Sequence, residues 1–437
     1  MSNRENWLSN KIVYDFTEGE NGLIFIATYG GGLNIFNPKT RTFRVLHAQT
    51  GKPNALQSNY IYCLATGLDG VIWIGTRDAG LQSFNPKTSE FKQFKHNPSN
   101  IKSLSHNAVR SVFVDSSNRV WVGTYGGGLN LLYPETGRIQ RFAEINPLDN
   151  KEKGNIIYSV FQDKAGLIWV GTRGGGLKKI NIQTGELKAY INQSDDSASL
   201  SNNFAFPVFE DSKDRLWVGT LGVVLNLFER EKESFKTFTT EDGLSNNVIY
   251  TILEDRTGNL WLSTAKGISC FNPDKMTCKR YYESDGLQSS EFNGGSAFKS
   301  KDGFMFFGGI NGFSFFHPDS IFINQEVPPV IITGLKVMNR EIFPSRDGIL
   351  RRSIQDTREI KLKYSDNILN FEFSALNYTH SDLNQYACKM EGFDKHWNQL
   401  GNQRLVNYTN LDPGVYTFKV IASNNDGIWN EAGAELK

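Results

Sequence analysis

The chain of 437 residues lacks several features that would assign it a function at once. Its 47 basic residues nearly match its 46 acidic residues, so the whole protein has no electrostatic field that would attract nucleic acid. No window approaches 18 uncharged apolar residues, and the first ten residues have no apolar core of the kind that a signal peptide needs. We therefore expect a water-soluble chain whose targeting segment, if the chain belongs to a longer protein, lies elsewhere.

Cysteine is scarce as well, with four residues, and this limits metal and redox chemistry. Neither a C-x-x-C pair nor a histidine cluster at metal-ligand spacing is present, so we expect no metal and no cofactor. Cys270 and Cys278 flank a predicted hairpin turn, which leaves a disulfide between them open in an oxidising compartment. Cys63 and Cys388 are expected to be small buried hydrophobic residues.

What the chain does have is a repeat with one large aromatic residue in each copy. Successive aromatic anchors are 48, 48, 48, 48, 44 and 45 residues apart, a spacing typical of repeat architectures. The anchors are Phe25, Trp73, Trp121, Trp169, Trp217, Trp261 and Phe306. Seven anchors predict seven structural repeats.

The third repeat shows the structure of one unit most clearly. It contains four β-type runs, at residues 105–115, 120–124, 129–133 and 138–142, separated by polar turns with Pro and Gly. A four-stranded antiparallel unit that recurs every 40 to 50 residues or so, with an aromatic residue in its second strand, is the signature of a propeller blade. A solenoid would need shorter repeats or helices, and no helical periodicity is present. We therefore predict an all-β fold with a seven-bladed β-propeller over residues 1–322.

The two ends of the predicted propeller differ from its middle. The seventh repeat shows no clear fourth strand, so residues around Glu5 to Leu8 are expected to supply an edge strand that joins the first blade to the last. Beyond a linker at residues 323–329, which ends in two prolines, the repeat is gone. Residues 330–437 contain β-type runs at 331–337, 359–363, 368–373, 385–390, 404–408 and 414–422, which indicate an immunoglobulin-like β-sandwich. The chain stops in what reads as the middle of a strand, so we expect this sandwich to be truncated at its C-terminal end.

These patterns carry a family resemblance. The Trp-Val-Gly-Thr core followed by Gly-Gly-Leu, as in residues 121–129, resembles two-component-regulator propeller repeats. The segments around Tyr386, Tyr408 and Tyr416 resemble the small Ig-like domain named for its three tyrosines. Together they are similar to the extracytoplasmic sensor region of hybrid two-component system histidine kinases, although members of that family often carry two propellers and this chain has one.

The resemblance implies a function for the whole receptor. It implies a periplasmic sensor that detects an oligosaccharide and passes the signal through the sandwich domain to control carbohydrate-utilisation genes. It also implies a homodimer through the sandwich, and no catalytic residues in this chain. The kinase, the membrane helix and the receiver domain of such receptors have no counterpart in the sequence, so we read the chain as a fragment or a truncated member.

Strand order in a meander places two kinds of connection at one end of the propeller, namely the turn from the second to the third strand and the link into the next blade. The residue that opens each turn varies while its surroundings repeat. Aromatic and arginine side chains there suit a carbohydrate, which offers C–H faces to rings and hydroxyl groups to polar side chains. The candidate ligand-binding residues in these turns are Tyr29, Arg77, Asp78, Tyr125 and Arg173, and a second set, eleven residues before the anchors, is Tyr62, Arg110 and Tyr158. Packing between blades is the alternative role for all of these aromatic residues.

In six of the seven repeats the link before the first strand ends in a recurring asparagine. The copies are Asn10, Asn59, Asn107, Asn155, Asn203 and Asn247. We expect a strand-entry role in which the amide side chain satisfies nearby backbone groups.

Two other functions remain open. A propeller glycosidase or lyase needs two carboxylates, or a Tyr/His acid–base pair, in the central funnel. Carboxylates do recur six residues before four anchors, at Asp115, Asp163, Asp211 and Asp255, but these fall in turns at the opposite end and predict a structural role. A protein-interaction scaffold would show a broad apolar patch. Fold alone does not decide among the three functions.

Overall fold

The computed structural model describes residues 7–142, 155–222, 224–321 and 324–437. The chain divides into two compact units, Met1–Ser320 and Ile321–Lys437. In the described residues, regular structure consists of β-strands and of five 3-10 helices, at Glu20–Gly22, Thr240–Asp242, Glu283–Asp285, Pro318–Ser320 and Ile354–Asp356. No helix in these ranges is long and apolar enough to cross a lipid bilayer. The predicted all-β fold class is confirmed.

The first unit contains seven antiparallel sheets that follow one another along the chain, one for each predicted repeat. The strands of blades 1 to 4 are β1 (Val13–Glu18), β2 (Ile24–Thr28), β3 (Gly32–Asn37), β4 (Thr42–Leu46), β5 (Ile61–Thr66), β6 (Ile72–Thr76), β7 (Leu81–Asn85), β8 (Glu90–Phe94), β9 (Val109–Val114), β10 (Val120–Thr124), β11 (Leu129–Tyr133), β12 (Arg138–Phe142), β13 (Ile157–Gln162), β14 (Ile168–Thr172), β15 (Leu177–Ile180) and β16 (Leu187–Tyr190). The strands of blades 5 to 7 are β17 (Ala205–Glu210), β18 (Leu216–Thr220), β19 (Leu225–Glu229), β20 (Ser234–Phe238), β21 (Ile249–Glu254), β22 (Leu260–Thr264), β23 (Gly267–Asn272), β24 (Thr277–Tyr281), β25 (Phe292–Lys299), β26 (Met305–Gly309) and β27 (Gly312–Phe316). Each sheet pairs its strands in chain order, so the predicted seven-bladed propeller of meanders is confirmed.

The first strands of the blades form the inner wall of the ring. Each one contacts the first strands of both neighbouring blades, so that β1 packs against β5 on one side and against β25 of the last blade on the other. The ring is therefore closed.

Blade 7 has three strands within the described part of the chain. The closing strand predicted around residues 5–8 falls partly on residues outside the described ranges, and its described residues form no strand. Hydrogen bonds at the strand ends join the last blade to the first. The Gly312 N–H donates to the Lys11 carbonyl at 2.6 Å, and Ser296 Oγ donates to the Val13 carbonyl at 3.0 Å.

The aromatic anchors lie in the second strands and are buried at the blade interfaces. Four anchor tryptophans donate their indole Nε1–H to a carboxylate six residues earlier, over 2.8–2.9 Å, in the pairs Trp121–Asp115, Trp169–Asp163, Trp217–Asp211 and Trp261–Asp255. A buried indole N–H needs an acceptor, and the carboxylate in the turn between the first two strands supplies it. The structural role predicted for these four carboxylates is confirmed.

The second unit is a sandwich of two four-stranded sheets. Its strands are β28 (Val330–Val337), β29 (Arg340–Glu341), β30 (Ile368–Ala375), β31 (Tyr386–Glu391), β32 (Asn398–Gly401), β33 (Leu405–Thr409), β34 (Thr417–Ser423) and β35 (Trp429–Leu436). The sheet orders are β29-β28-β30-β33 and β32-β31-β34-β35. Phe371 and Phe418 stack between the sheets with ring centroids 4.0 Å apart. The Ig-like sandwich predicted from the sequence is confirmed.

The three tyrosines that define the resemblance all form hydrogen bonds. Tyr386 is fully buried and accepts from the Ala375 N–H at 3.1 Å. The Tyr408 hydroxyl donates to Asp394 at 2.7 Å, and the Tyr416 hydroxyl donates to a backbone carbonyl four residues upstream at 2.8 Å. The tyrosines therefore belong to the framework of the sandwich.

One predicted strand is wrong, and a disulfide that the sequence left open does not form. The strand predicted at residues 359–363 is irregular backbone. The Ile360 N–H donates to the Lys437 carbonyl and the Lys363 N–H donates to the Asp366 carboxylate, but these bonds do not form a ladder with a neighbouring strand. The disulfide left open between Cys270 and Cys278 is absent, and both thiols are free. Cys278 lies opposite Phe271 in the β23–β24 hairpin, so the two sulfur atoms point to opposite faces of the sheet.

Candidate functional site

The turns between second and third strands lie at the same end of the propeller as the entries to the first strands. In blade 2 the Arg77 N–H donates to the Tyr60 carbonyl at 3.0 Å, and in blade 1 the Tyr29 N–H donates to the Ile12 carbonyl at 3.0 Å. An isolated bridge also pairs Tyr29 with Tyr60 of the next blade. Each turn therefore contacts its own blade and the following one. We call this end of the ring the turn face.

The glycines after each turn residue fix its backbone. In blade 3, Gly126 and Gly128 have φ values of 101° and 77°, which favour glycine. A Cβ atom at Gly127 would lie 2.6 Å from Ser105 Oγ. The turn that presents Tyr125 is consequently packed tightly against the link from the preceding blade.

A β-bulge in the first strands decides which side chains reach the channel mouth. In blade 3, Val109 pairs with Thr124 and Ser111 pairs with Gly123, which leaves Arg110 outside the ladder. The same irregularity leaves out the equivalent residues of blades 1, 2, 4 and 6, which are Tyr14, Tyr62, Tyr158 and Tyr250. Bulges re-aim side chains, so backbone geometry brings this second candidate set to the mouth.

Arg77 joins the aromatic residues of blades 1 and 2. Its Nη1 donates to the Tyr29 hydroxyl, and its guanidinium carbon lies 5.6 Å from the ring centroids of both Tyr29 and Tyr60. The Tyr29 ring packs against Tyr60, Tyr14 and Tyr62 at centroid distances of 5.0, 5.6 and 6.2 Å. Cation–π attraction and one hydrogen bond therefore hold an exposed guanidinium in place.

Arg110 occupies the centre of the channel mouth. Its guanidinium carbon lies 5.3, 4.6 and 4.9 Å from the ring centroids of Tyr14, Tyr62 and Tyr158. Three tyrosine faces around one cation form an aromatic cage that is filled by the protein's own side chain.

Blades 3 and 4 repeat the arrangement of blades 1 and 2. Arg173 Nη1 donates to the Tyr125 hydroxyl at 3.3 Å, and Tyr125 keeps 44% of its surface exposed. Arg173 also pairs through an isolated bridge with Phe204, whose ring lies 4.8 Å from that of Tyr158. The tyrosine and arginine of each pair come from neighbouring blades, 48 residues apart.

Seven of the eight candidate residues thus form one continuous surface. We call it the aromatic–arginine strip, and its members are Tyr14, Tyr29, Tyr60, Tyr62, Arg77, Arg110, Tyr125, Tyr158, Arg173 and Phe204. Asp78 is exposed beside Arg77, and within the described ranges it forms no hydrogen bond or ion pair. The structure therefore brings together every predicted ligand-binding residue except Asp78.

Tyr14, Tyr60 and Phe204 belong to the strip but are not among the eight candidates. Tyr14 lies eleven residues before its anchor, as Tyr62 does in blade 2, whereas Tyr60 and Phe204 lie at a position that the sequence analysis did not consider. Both directly follow the recurring asparagine of the link, so the position after Asn59 and Asn203 was the signal in the sequence. The asparagine itself has the predicted strand-entry role, since the Asn59 side chain accepts from the Ala48 N–H at 2.7 Å. Asn10 also satisfies a nearby backbone group, since it accepts from the Ile12 N–H two residues on at 2.8 Å. In blades 2, 3, 5 and 6 the residue before the recurring asparagine accepts from the N–H two residues on.

Asp15 is a further residue that the sequence did not single out. Its carboxylate lies below the channel mouth and accepts from the Leu64 and Phe16 N–H groups at 2.8 and 2.7 Å. Burial raises the pKa of Asp15 to about 8, although those two hydrogen bonds and the charge of Arg110 oppose the shift. Asp15 is therefore a carboxyl group that changes charge near neutral pH.

The channel beneath the strip is nearly filled. A cavity of about 150 Å³ remains, lined by residues that include Tyr14, Asp15, Arg110 and Phe206. Ligand pockets commonly measure roughly 300–1,000 Å³. This cavity is too small for an oligosaccharide, so a sugar chain that contacts the strip would lie on the turn face. Among the described residues, no group of three or more His, Cys, Asp or Glu side chains could hold a metal ion.

Comparison with known protein families agrees with the propeller and sandwich described above. Residues 103–126, 151–174 and 243–266 match the model of the two component regulator propeller. Residues 377–437 match the model of the Y_Y_Y domain. The chain therefore carries two-component-regulator propeller repeats followed by a Y_Y_Y domain, as the resemblance in the sequence predicted.

Particular relatives come from bacterial signalling. The chain is 34% identical over 170 residues to histidine kinase P4 of Formosa agariphila, an alignment that covers 39% of this chain and 12% of that protein. It is similar to the crystal structure of the extracellular domain of a hybrid two component system from B. thetaiotaomicron, with a TM-score of 0.78, 27% identity, and coverage of 100% of this chain and 57% of the other. The extracellular domain of a one component system from the same organism shares the fold, with a TM-score of 0.56, 23% identity, and coverage of 98% and 55%. The chain thus spans about an eighth of its curated relative and little more than half of each solved neighbour.

Proposed function

We propose that this chain is the ligand-binding sensor region of a hybrid two-component histidine kinase, and that its ligand is an oligosaccharide bound on the turn face. The aromatic–arginine strip is the observation that carries the proposal. It joins exposed tyrosine rings and guanidinium groups across blades 1 to 4 without a break. Similarity to the extracellular domain of a hybrid two-component system supports the sensor role.

The chemistry of the strip suits a chain of sugars. Tyr60 and Tyr125 expose 39% and 44% of their surfaces, so their rings are available for the C–H faces of pyranose units. Arg77 and Arg173 are exposed, and each donates one N–H to a tyrosine hydroxyl. Their remaining N–H groups can donate to hydroxyl or acidic groups of a ligand. The small channel cavity favours an extended ligand that lies across several blades over a compact ligand inside the ring.

Binding without cleavage fits the placement of the carboxylates better than hydrolysis does. The four recurring aspartates lie in the turns between first and second strands, at the end opposite the strip, and each accepts a hydrogen bond from a tryptophan Nε1–H. Beside the strip itself, Asp15 lies below the aromatic layer and Asp78 stands exposed at one edge. A glycosidase needs two carboxyl groups on either side of one glycosidic bond, which this arrangement does not favour.

In the full receptor, the proposed sensor would act outside the cytoplasm, in the periplasm, and would control genes for carbohydrate use. A ligand shifts a conformational equilibrium only if it binds the two states with different affinity. We propose that oligosaccharide binding changes the contact between two sandwich domains in a homodimer. The sandwich exposes large apolar side chains, among them Phe343, Tyr364 and Tyr378, that such a contact would cover.

Substitutions in the strip test the site. Tyr125→Ala and Arg173→Ala should each weaken binding of a glycan ligand by roughly tenfold, because each removes a contact at a face residue of the kind that dominates recognition. The melting temperature should change little, since both side chains are exposed. Arg138→Ala is the matched control, because Arg138 also lies over a tyrosine, Tyr133, at 4.5 Å, but at the opposite end of blade 3. A large loss of stability with unchanged affinity would show that Tyr125 and Arg173 only pack the blades together.

A further inference from the structure

We infer that the oligosaccharide is acidic, and that Arg77 and Arg173 pair with its carboxylate or sulfate groups. This inference rests on the proposed function, since it names the chemical class of the ligand on the same strip. Its basis is the set of partners that the three guanidinium groups of the strip have. These groups belong to Arg77 in blade 2, Arg110 in blade 3 and Arg173 in blade 4.

None of these three arginines forms an ion pair with a described residue. Several other arginines of the propeller do form ion pairs. Arg119 pairs with Asp115 at 2.7 Å and Arg215 pairs with Asp211 at 2.6 Å. Arg230 pairs with Asp163 at 3.0 Å. The strip thus presents three guanidinium groups in successive blades, none of them within ion-pair distance of a described carboxylate.

Tyrosine residues orient the guanidinium groups without neutralising them. Each outer arginine donates one N–H to a tyrosine hydroxyl of the preceding blade, at Tyr29 and Tyr125. A guanidinium has five N–H donors in a planar fork, so the remaining donors still match a carboxylate or sulfate. Holding the fork in one orientation beforehand reduces the entropy that an anion would otherwise cost on binding.

Arg110 differs from the two outer arginines. It is half-buried within three tyrosine rings, and the carboxyl group of Asp15 lies close enough below it for their charges to interact. Arg77 and Arg173 are exposed at the ends of the strip. The outer pair therefore makes the direct contacts with an acidic ligand, and Arg110 adds positive potential between them.

Calorimetric titration of the full chain with matched oligosaccharides tests this inference. One pair of probes is oligogalacturonate and its neutral methyl ester, and a second pair is a sulfated carrageenan oligosaccharide and its desulfated form. We expect an acidic member of these pairs to bind at least tenfold more tightly than its neutral counterpart, with an affinity that falls as salt is raised. Preference for the uronate or for the sulfate identifies the anion.

Substitutions connect that preference to the two arginines. Arg77→Gln and Arg173→Gln should each weaken acidic binding roughly ten- to a hundredfold, the range for a hydrogen bond to a charged group, and should leave neutral binding unchanged. Arg138→Gln is the control and should alter neither. Equal binding of neutral and acidic forms, insensitive to both substitutions, would overturn the inference and leave the oligosaccharide sensor standing. If no glycan of any charge bound, the inference and the proposed function would fall together.

Discussion

A buried lysine in blade 4 offers a sharp quantitative test of the fold. Lys178 lies in β15 opposite Val170 and has no solvent exposure. Its Nζ has no hydrogen-bond partner among the described residues. At the equivalent position blades 3 and 5 place Asn130 and Asn226, whose amide groups are hydrogen-bonded. Lys178→Met keeps most of the buried alkyl chain and removes the amine, so we expect the variant to be more stable.

The size of the gain follows from the pKa of the amine. Burial lowers the pKa of Lys178 from 10.5 to about 8, so the folded chain binds the proton less tightly than the unfolded chain does. A shift of this size corresponds to about 3 kcal/mol of destabilisation while the amine is charged in both states. Because the folded pKa is the lower one, this cost is fully present below pH 8. The wild type recovers it as pH rises towards the unfolded pKa.

Urea denaturation followed by tryptophan fluorescence measures the effect. At pH 7 the free energy of unfolding should be higher for Lys178→Met by about 3 kcal/mol, and most of that difference should be gone at pH 10.5. Lys92→Met is the matched control, since Lys92 is exposed in β8, and it should change stability by no more than about 0.5 kcal/mol at either pH. The reasoning is refuted if Lys178→Met destabilises the protein at pH 7, or if its advantage does not shrink as pH rises.

Two further predictions concern carboxyl groups. Asp211→Ala should destabilise the propeller by about 3 kcal/mol in the same assay and leave glycan affinity unchanged, because it leaves the buried Trp217 Nε1–H without an acceptor and removes one of the two carboxylates that pair with Arg215. A variant of normal stability that fails to bind would instead make Asp211 part of the site. For Asp15 the folded pKa, about 8, lies above the unfolded value, so the ionised form costs stability progressively as pH rises from about 4 to about 8. Asp15→Asn should therefore gain stability relative to the wild type between pH 5 and pH 9, and a difference that stays constant over this range would show that the carboxyl group is not buried as described.

The blade architecture was predictable because it depends on local features that repeat. The spacing of the anchors sets the number of blades, and the alternation of apolar runs with polar turns sets the strands. For blade 3, the predicted strands at residues 120–124, 129–133 and 138–142 match β10, β11 and β12. Each of these features is readable within one 48-residue unit, so no long-range information is needed.

Features that depend on contacts between distant segments were harder to predict from the sequence. The run at residues 359–363 alternates like a strand, but whether it pairs depends on the segment beside it, which the alternation does not specify. Register across the β23–β24 hairpin likewise decided that Cys270 and Cys278 point apart. Tyr60 belongs to the strip because a turn of the neighbouring blade packs on it. The repeat pattern shows where Tyr60 lies in its blade, but it does not show this contact.

The candidate site falls between these two cases. Alignment of the repeats showed that the position of Tyr125 varies while its surroundings do not, and that the position of Arg110 lies near the channel mouth. It could not show that Arg110 would be enclosed by three tyrosine rings, because that cage depends on side chains from three other blades meeting at one point. Nor could it show the bulge that directs these side chains there.

The central claim is that the turn face binds an oligosaccharide and releases it intact. Calorimetric titration with a panel of neutral and acidic oligosaccharides, followed by chromatographic sizing of the ligand recovered from each titration, tests it most directly. We predict saturable binding of at least one oligosaccharide, weakened by Arg173→Ala, and recovery of that ligand at its original length. Shortened products would contradict the claim in favour of a glycosidase or lyase, and the absence of binding to any member of the panel would favour a protein-interaction scaffold.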